Sequence, residues 1–178
     1  MTAYILNLLV LISIYAILST TLNFIIGYAG IFSLAHAVFF GIGAYTSAFV
    51  AMNLTPSFFV AIPVAMAVAA LTSLALALPA LRVRGEYFVA ASLGLQMLAV
   101  TLFSEWKGFT GGIGGVIGIP PVELFGFAVV KPWQFLVLTL ACLGIVIVVI
   151  RRLVHTSFGR SLKSIRDSES AALASGKN

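Results

Sequence analysis

Charge is what this chain has least of. Its 178 residues include ten Lys or Arg and five Asp or Glu, and none of these falls between Met1 and Leu81. A soluble domain carries about 25% charged residues, against 8% here, so this inventory cannot build a water-facing surface. Cysteine is almost absent: Cys142 stands alone, so no internal disulfide can form. Within the apolar Leu140–Ile150 stretch it reads as a small buried hydrophobe. Histidine is limited to His36 and His155, which leaves no metal-binding cluster to expect. No basic segment with interleaved aromatics suggests nucleic acid. The first apolar run lacks the basic leader of a cleaved signal peptide and is too long for one, so it is expected to be a retained span.

What is present is apolar and long. Hydrophobic residues make up 61% of the chain, and the mean hydropathy is +1.15. Five segments stand out: Tyr4–Asn23, Ile31–Met52, Phe58–Leu81, Tyr87–Phe103 and Trp133–Ile150. Each is near the length that crosses about 30 Å of hydrocarbon as a helix. None shows the alternating polarity of a membrane β-strand. Turn-forming residues separate them: Gly27 and Gly30, then Asn53–Pro56, then Arg82–Gly85, and finally the long Gly- and Pro-rich stretch Ser104–Pro132. The expected fold is therefore all-α, a polytopic transmembrane helix bundle of about five spans. Pro63 and Pro79 are expected to kink the third span.

Lys and Arg set the orientation. Arg82 and Arg84 lie between the third and fourth segments, and a basic cluster running from Arg151 to Lys177 follows the fifth. With antiparallel neighbours both regions share one side, expected to be the cytoplasm. That puts Ser104–Pro132 and the N-terminus outside. A re-entrant or broken helix through residues 24–43 is the alternative, and irregular backbone at that depth must be covered by protein or line a wet cavity.

After the fifth segment the character changes. Residues 157–176 read as a short amphipathic helix outside the bilayer, with Leu162, Ile165 and Ala172 on one side and Arg160, Lys163, Arg166 and Asp167 on the rest. On spacing alone, this is a juxtamembrane basic helix that touches anionic lipid. Polar groups inside the spans are costly and usually face the bundle interior. Asn23, Ser33, His36 and Gln96 are the candidates for a translocation path. For His36 an interhelical hydrogen bond is the plainer role, and Gly27, Gly30, Gly41 and Gly43 around it permit close helix approach. The Gly108–Pro121 loop is either a flexible connection or part of an external gate or docking surface. ATP chemistry is missing. A phosphate loop needs G-x-x-x-x-G-K-[ST], but here Ala171 stands at the first glycine position and Asn178 at the last. Ile113–Gly118 has the wrong glycine spacing for a dinucleotide fingerprint.

Four regions carry a resemblance, the first of them the tail, which does so in two parts. Glu169–Gly176 (E-S-A-A-L-A-S-G) is similar to the E-A-A-x-x-x-G cytoplasmic loop of ABC importer permeases, with one residue inserted after the glutamate. Phe158–Asp167 (F-G-R-S-L-K-S-I-R-D) resembles the version found in branched-chain amino acid permeases of the LivM type. Asn23–Gly30 with Ser33–Tyr45, Leu81–Phe88, and Thr110–Gly112 with Gly118–Pro121 agree with the same family in the same order. Ala35, where the family usually has glycine, and Ser170, which interrupts the loop motif, are departures. Family members continue into further spans beyond this motif, so the chain resembles the N-terminal part of such a permease.

The resemblance implies a membrane region at 1–156 and a cytoplasmic coupling segment at 157–178. Gly159, Arg160, Leu162, Ile165, Arg166, Glu169, Ala172 and Gly176 would form the coupling helix seated in a groove on an ATPase. It implies a subunit of a bacterial inner-membrane importer without catalysis or cofactor of its own, ATP and Mg being held by the partner ATPases. Its other partners would be a second permease, a periplasmic substrate-binding protein and membrane lipid. The alternatives are a fragment of a secondary transporter or a non-functional truncated permease. Arg82–Gly85 lacks the aspartate of the D-R-x-G-R loop common in major facilitators, and no carboxylate lies within the five segments. A membrane enzyme would need Glu105, His36 and His155 to converge from three different levels.

Overall fold

A computed structural model describes residues 2–80 and 86–168. Arg82 and Arg84 therefore lie outside the described residues, as do Glu169, Ala172 and Gly176. The elements are α1 (Thr2–Phe24), which runs on into a π-turn (Ile25–Ala29), α2 (His36–Asn53), α3 (Phe58–Ala80), α4 (Glu86–Glu105), a short α5 (Lys107–Thr110), a two-stranded hairpin of β1 (Glu123–Leu124) and β2 (Phe127–Ala128), α6 (Pro132–His155) and α7 (Ser157–Asp167). The chain divides into two compact units, residues 1–32 with 131–178, and residues 33–130.

Among the described residues four helical segments are long and apolar enough to cross a membrane: Ala3–Ala29, Phe58–Leu76, Tyr87–Glu105 and Pro132–His155. These match four of the five expected segments, and the all-α polytopic architecture stands. The segment expected at Ile31–Met52 differs. Its first five residues are not helical, and α2 begins only at His36 and contains 18 residues. Hydropathy cannot see this break, because Ile31, Phe32, Leu34 and Ala35 are as apolar as a helix interior. The helix α3 continues through Pro63 and Pro79 without interruption.

These helices are suited to lipid rather than water. Leu71, Leu98 and Ile145 are 68%, 70% and 63% exposed, an arrangement with no counterpart on a soluble surface of this size. Hydroxyls within the helices turn back onto their own backbone. Ser13 Oγ donates to the Leu9 carbonyl at 2.8 Å, Thr46 Oγ1 to Ile42 at 2.7 Å and Thr72 Oγ1 to Val68 at 2.9 Å. Every buried side-chain N or O atom among the described residues has a partner, as a medium without water requires.

In the first unit α1 packs along α6. Pro132 opens α6, and Gln134 Oε1 accepts the Lys131 N–H at 3.0 Å, so that an otherwise free donor is satisfied. The direction of α1 relative to α6 follows from α7. At 24 residues α6 is about 36 Å long, whereas the 11-residue α7 spans only about 16 Å. Arg166, near the end of α7, bonds the Gly27 carbonyl in the π-turn. That reach is possible only if α1 and α6 end on the same side, so the two helices run parallel. The Thr2 end of α1 then lies at the opposite end of this helix pair from α7.

In the second unit α2 packs against α3 and α4. A small core of Ala35, Val38 and Ala99 is flanked by Phe39, Ile42, Leu95 and Phe103. Gly41 permits this approach: a Cβ there would lie 2.8 Å from Phe103 Cε2, and the Phe103 ring also meets Tyr45 at 5.0 Å between centroids. Gly43, by contrast, faces open space.

The stretch after α4 is tied back to the helix end by hydrogen bonds. Thr110 is only 1% exposed. Its Oγ1 lies 2.6 Å from the Phe103 carbonyl oxygen and 2.8 Å from that of Trp106, and it accepts the Gly112 N–H at 3.3 Å. The hairpin turns through Phe125 and Gly126, both at positive φ (50° and 84°), the conformation that suits a two-residue hairpin loop. Glu123 N–H donates to the Pro56 carbonyl at 2.9 Å, so this loop and the α2–α3 turn share one side. Replacing Thr110 with valine removes the hydroxyl that three backbone groups use. The expected loss is about 1–2 kcal/mol, read as earlier thermal unfolding in detergent, while a serine replacement retains most of the stability.

Candidate functional site

The feature that most departs from an apolar membrane bundle is α7. It follows α6 after one extended residue, Thr156, whose N–H and Oγ1 both bond the Leu153 carbonyl, at 3.2 and 2.6 Å. Gly159 sits in this corner. A Cβ at that position would lie 2.6 Å from the Leu153 carbonyl oxygen and 2.6 Å from Val154 Cα, so any side chain collides with main chain. Arg160 Nη1 donates to the His155 carbonyl at 3.1 Å and braces the same corner. Two of the residues expected to act in coupling thus shape the entry to the helix.

The far end of α7 is held by α1. The helix α1 ends in a π-turn because Gly30 adopts φ +72° and returns its N–H to the Ile25 carbonyl. A helix end leaves carbonyls without intrahelical donors, and the Gly27 oxygen receives Arg166 Nη1 instead. The Arg166 guanidinium also grips Asp167 Oδ1, through Nε at 2.9 Å and Nη2 at 2.7 Å. Lys163, nearly one turn earlier, places Nζ 4.9 Å from the Tyr28 ring centroid, within cation–π range.

These contacts add intramolecular partners to the residues expected to act in coupling along α7. Lys163 and Arg166 face their own chain, and Arg166 binds a carbonyl 139 residues away. Leu162 is half-buried, while Ile165 and Phe158 remain 41% and 56% exposed. Phe158, Leu162 and Ile165 follow the i, i+4, i+7 spacing of one helix face. Phe158 therefore belongs with the expected apolar residues, and that same spacing could have identified it. Tyr28 and Gly30 carried no comparable signal, because only the folded chain brings them to α7.

The path candidates separate by unit. Asn23 lines a shallow cleft with Ser19, Leu22, Ile26 and Gly27, and a Cβ on Gly27 would lie 3.2 Å from Asn23 Oδ1. In the other unit Ser33 and His36, both half-buried, bracket the start of α2. That start is pinned to α4, where the Leu34 N–H donates to Ser92 Oγ at 3.1 Å. Gln96 is half-buried one turn further along α4. His155 is exposed at the end of α6. Among the described residues no three His, Cys, Asp or Glu side chains gather as a metal centre requires.

Comparison with known proteins shows the family. The family described as "Branched-chain amino acid transport system / permease component" matches residues 4–178. The chain is 30% identical, over 186 aligned residues, to the high-affinity branched-chain amino acid transport system permease protein LivM of Escherichia coli (strain K12). It is equally similar to LivM of Salmonella typhimurium. Each alignment covers 92% of this chain and 44% of the relative, so the chain spans less than half the length of either. No solved structure is a significant match. With its apolar helices and a family match over almost its whole length, the chain belongs to the permease components of branched-chain amino acid transport systems, a family of multi-pass membrane proteins.

Proposed function

We propose that this chain acts as part of a permease subunit in an ATP-driven importer of branched-chain amino acids, placed in the bacterial inner membrane. In this reading residues 1–156 form the membrane region, and residues 157–178 form a cytoplasmic segment that seats on an ATPase. The observation that carries it is α7, a braced amphipathic helix at a membrane boundary that presents Phe158 and Ile165 outward beside basic residues. An apolar anchor ringed by charge is the form of helix that docks in a partner's groove, with the charges setting register. ATP and Mg belong to that partner, and a second permease and a periplasmic binding protein complete the assembly.

The parallel α1 and α6 support a topology for this reading. The chain leaves α1 on the α7 side and enters α6 from the opposite side, so an odd number of crossings separates them. We assign these to α2, α3 and α4, which gives five spans in total, with α2 and the non-helical 30–35 stretch forming the second.

Two measurements test this reading. The full-length protein purified with its ATPase should hydrolyse ATP faster when binding protein and solute are added; no association, or no stimulation, ends the assignment. Sidedness is read by thiol labelling. Cys142→Ser removes the one cysteine of this sequence, any cysteine elsewhere in the full-length protein is replaced likewise, and Lys163→Cys or Ile113→Cys is then added. An impermeant maleimide on intact spheroplasts is expected to modify position 113 and spare 163, with the reverse in inverted vesicles. Labelling of position 163 from outside overturns the topology.

A further inference from the structure

We propose that Tyr28, Gly30, Lys163 and Arg166 form a latch that carries movement of α7 into the C-terminal end of α1. This deepens the function proposed above and rests on α7 being the element that the ATPase engages.

Three features meet at the latch. The π-turn leaves the Gly27 carbonyl without a helical donor, and the Arg166 guanidinium supplies one. Gly30 leaves room for the Arg166 stem. A Cβ at position 30 would lie 3.3 Å from both Arg166 Cβ and Cδ and closer still to Cγ, and the φ of +72° already favours glycine there. Lys163 rests over the Tyr28 ring, and Phe24 stacks on that ring at 5.8 Å between centroids. The contact is thereby carried back one turn into α1.

The other end of α7 is fixed to α6 through the Gly159 corner and the Arg160–His155 bond. A helix pinned at both ends passes on a push instead of absorbing it. What it pushes is the turn that carries Gly27, which with Ser19, Leu22, Asn23 and Ile26 lines the cleft at the end of α1. Displacing α7 therefore reshapes the wall of that cleft, and Asn23, packed over Gly27, is the polar group placed to respond.

The test uses the full-length permease assembled with its ATPases in liposomes, in a cysteine-free background that includes Cys142→Ser. Tyr28→Cys with Lys163→Cys is bridged by a short bis-methanethiosulfonate reagent. The expected result is efficient cross-linking without nucleotide, loss of solute-stimulated ATP hydrolysis in the bridged protein, and recovery on reduction. Separately, Tyr28→Leu should lower stimulated turnover about two- to fivefold, the factor set by one exposed cation–π contact. ATPase binding should be unchanged, and Tyr28→Phe should restore the rate, which a merely structural tyrosine hydroxyl would not allow. Absence of the cross-link, or full stimulation in the bridged protein while the ATPase stays bound, overturns the latch alone. Failure of the unmodified permease to bind its ATPase removes the underlying function instead, and the transmission role falls with it.

Discussion

Gly159→Ala is expected to unseat α7 and abolish any coupling that depends on it. In an exposed helix, alanine is favoured over glycine by roughly 0.5–1 kcal/mol, so a stabilising effect would be the ordinary expectation. Here the sign reverses. The added methyl would lie 2.6 Å from the Leu153 carbonyl oxygen and 2.6 Å from Val154 Cα, neither of which can rotate away as a side-chain end can. Overpacking costs about 1–3 kcal/mol even among movable side chains, and the corner can relieve it only by opening. Opening removes the Arg160 brace and shifts Lys163 and Arg166 away from the π-turn. Hydrogen exchange of the full-length protein checks this directly: amides of residues 160–167 should lose protection while those of α6 keep theirs. Unchanged protection would mean that the corner tolerates the methyl, and the structural role given to Gly159 would be wrong.

Ile165→Asp should remove solute-stimulated ATP hydrolysis. Full burial of an isoleucine is worth about 1.5–3 kcal/mol, so its loss from a docked groove weakens ATPase binding by roughly 10- to 150-fold. A carboxylate forced into the same groove adds a desolvation cost. Ile165→Ala keeps the helix and loses only part of the apolar contact, so it should fall between wild type and the aspartate variant. Both proteins should insert normally, because Ile165 lies outside α6 and the other apolar helices and 41% of it is exposed in this chain. Stimulated turnover in the assembled transporter, measured together with membrane content, decides the matter. Full activity in the aspartate variant would remove Ile165 from the docking face.

What could be foreseen here divides by the range of the interaction. Spans are local sums of transfer free energy, so Phe58, Tyr87 and Trp133 marked helix starts to within one residue. The break at residues 30–35 was foreseen only as the alternative of a broken helix through residues 24–43, because it is made by backbone conformation in a stretch that is apolar apart from Ser33. Gly30 was visible as a turn residue, but its φ of +72° and the π-turn it closes were not. The loop after α4 was written in glycine and proline, which speak of turns but not of what ties them back. Its hydrogen bonding centres on Thr110, one buried hydroxyl used by three backbone groups. The site divides in the same way. The amphipathic face of α7 is periodic and could be read directly, including Phe158. The Arg166–Gly27 and Lys163–Tyr28 contacts join positions more than 130 residues apart, and no short-range pattern encodes them.

The sparse self-contact of the spans has a consequence for how the protein holds together. Only 6% of the best α1 and α6 windows and 11% of the α3 and α4 windows are buried inside the chain itself. Acyl chains, neighbouring subunits or other parts of the same permease must cover the remainder, so whatever covers it is a constituent of the folded state rather than its surroundings. Resistance to heat should then track the thickness and saturation of the host bilayer, and a core substitution that matters in a thin, short-tailed amphiphile should matter less in native lipid.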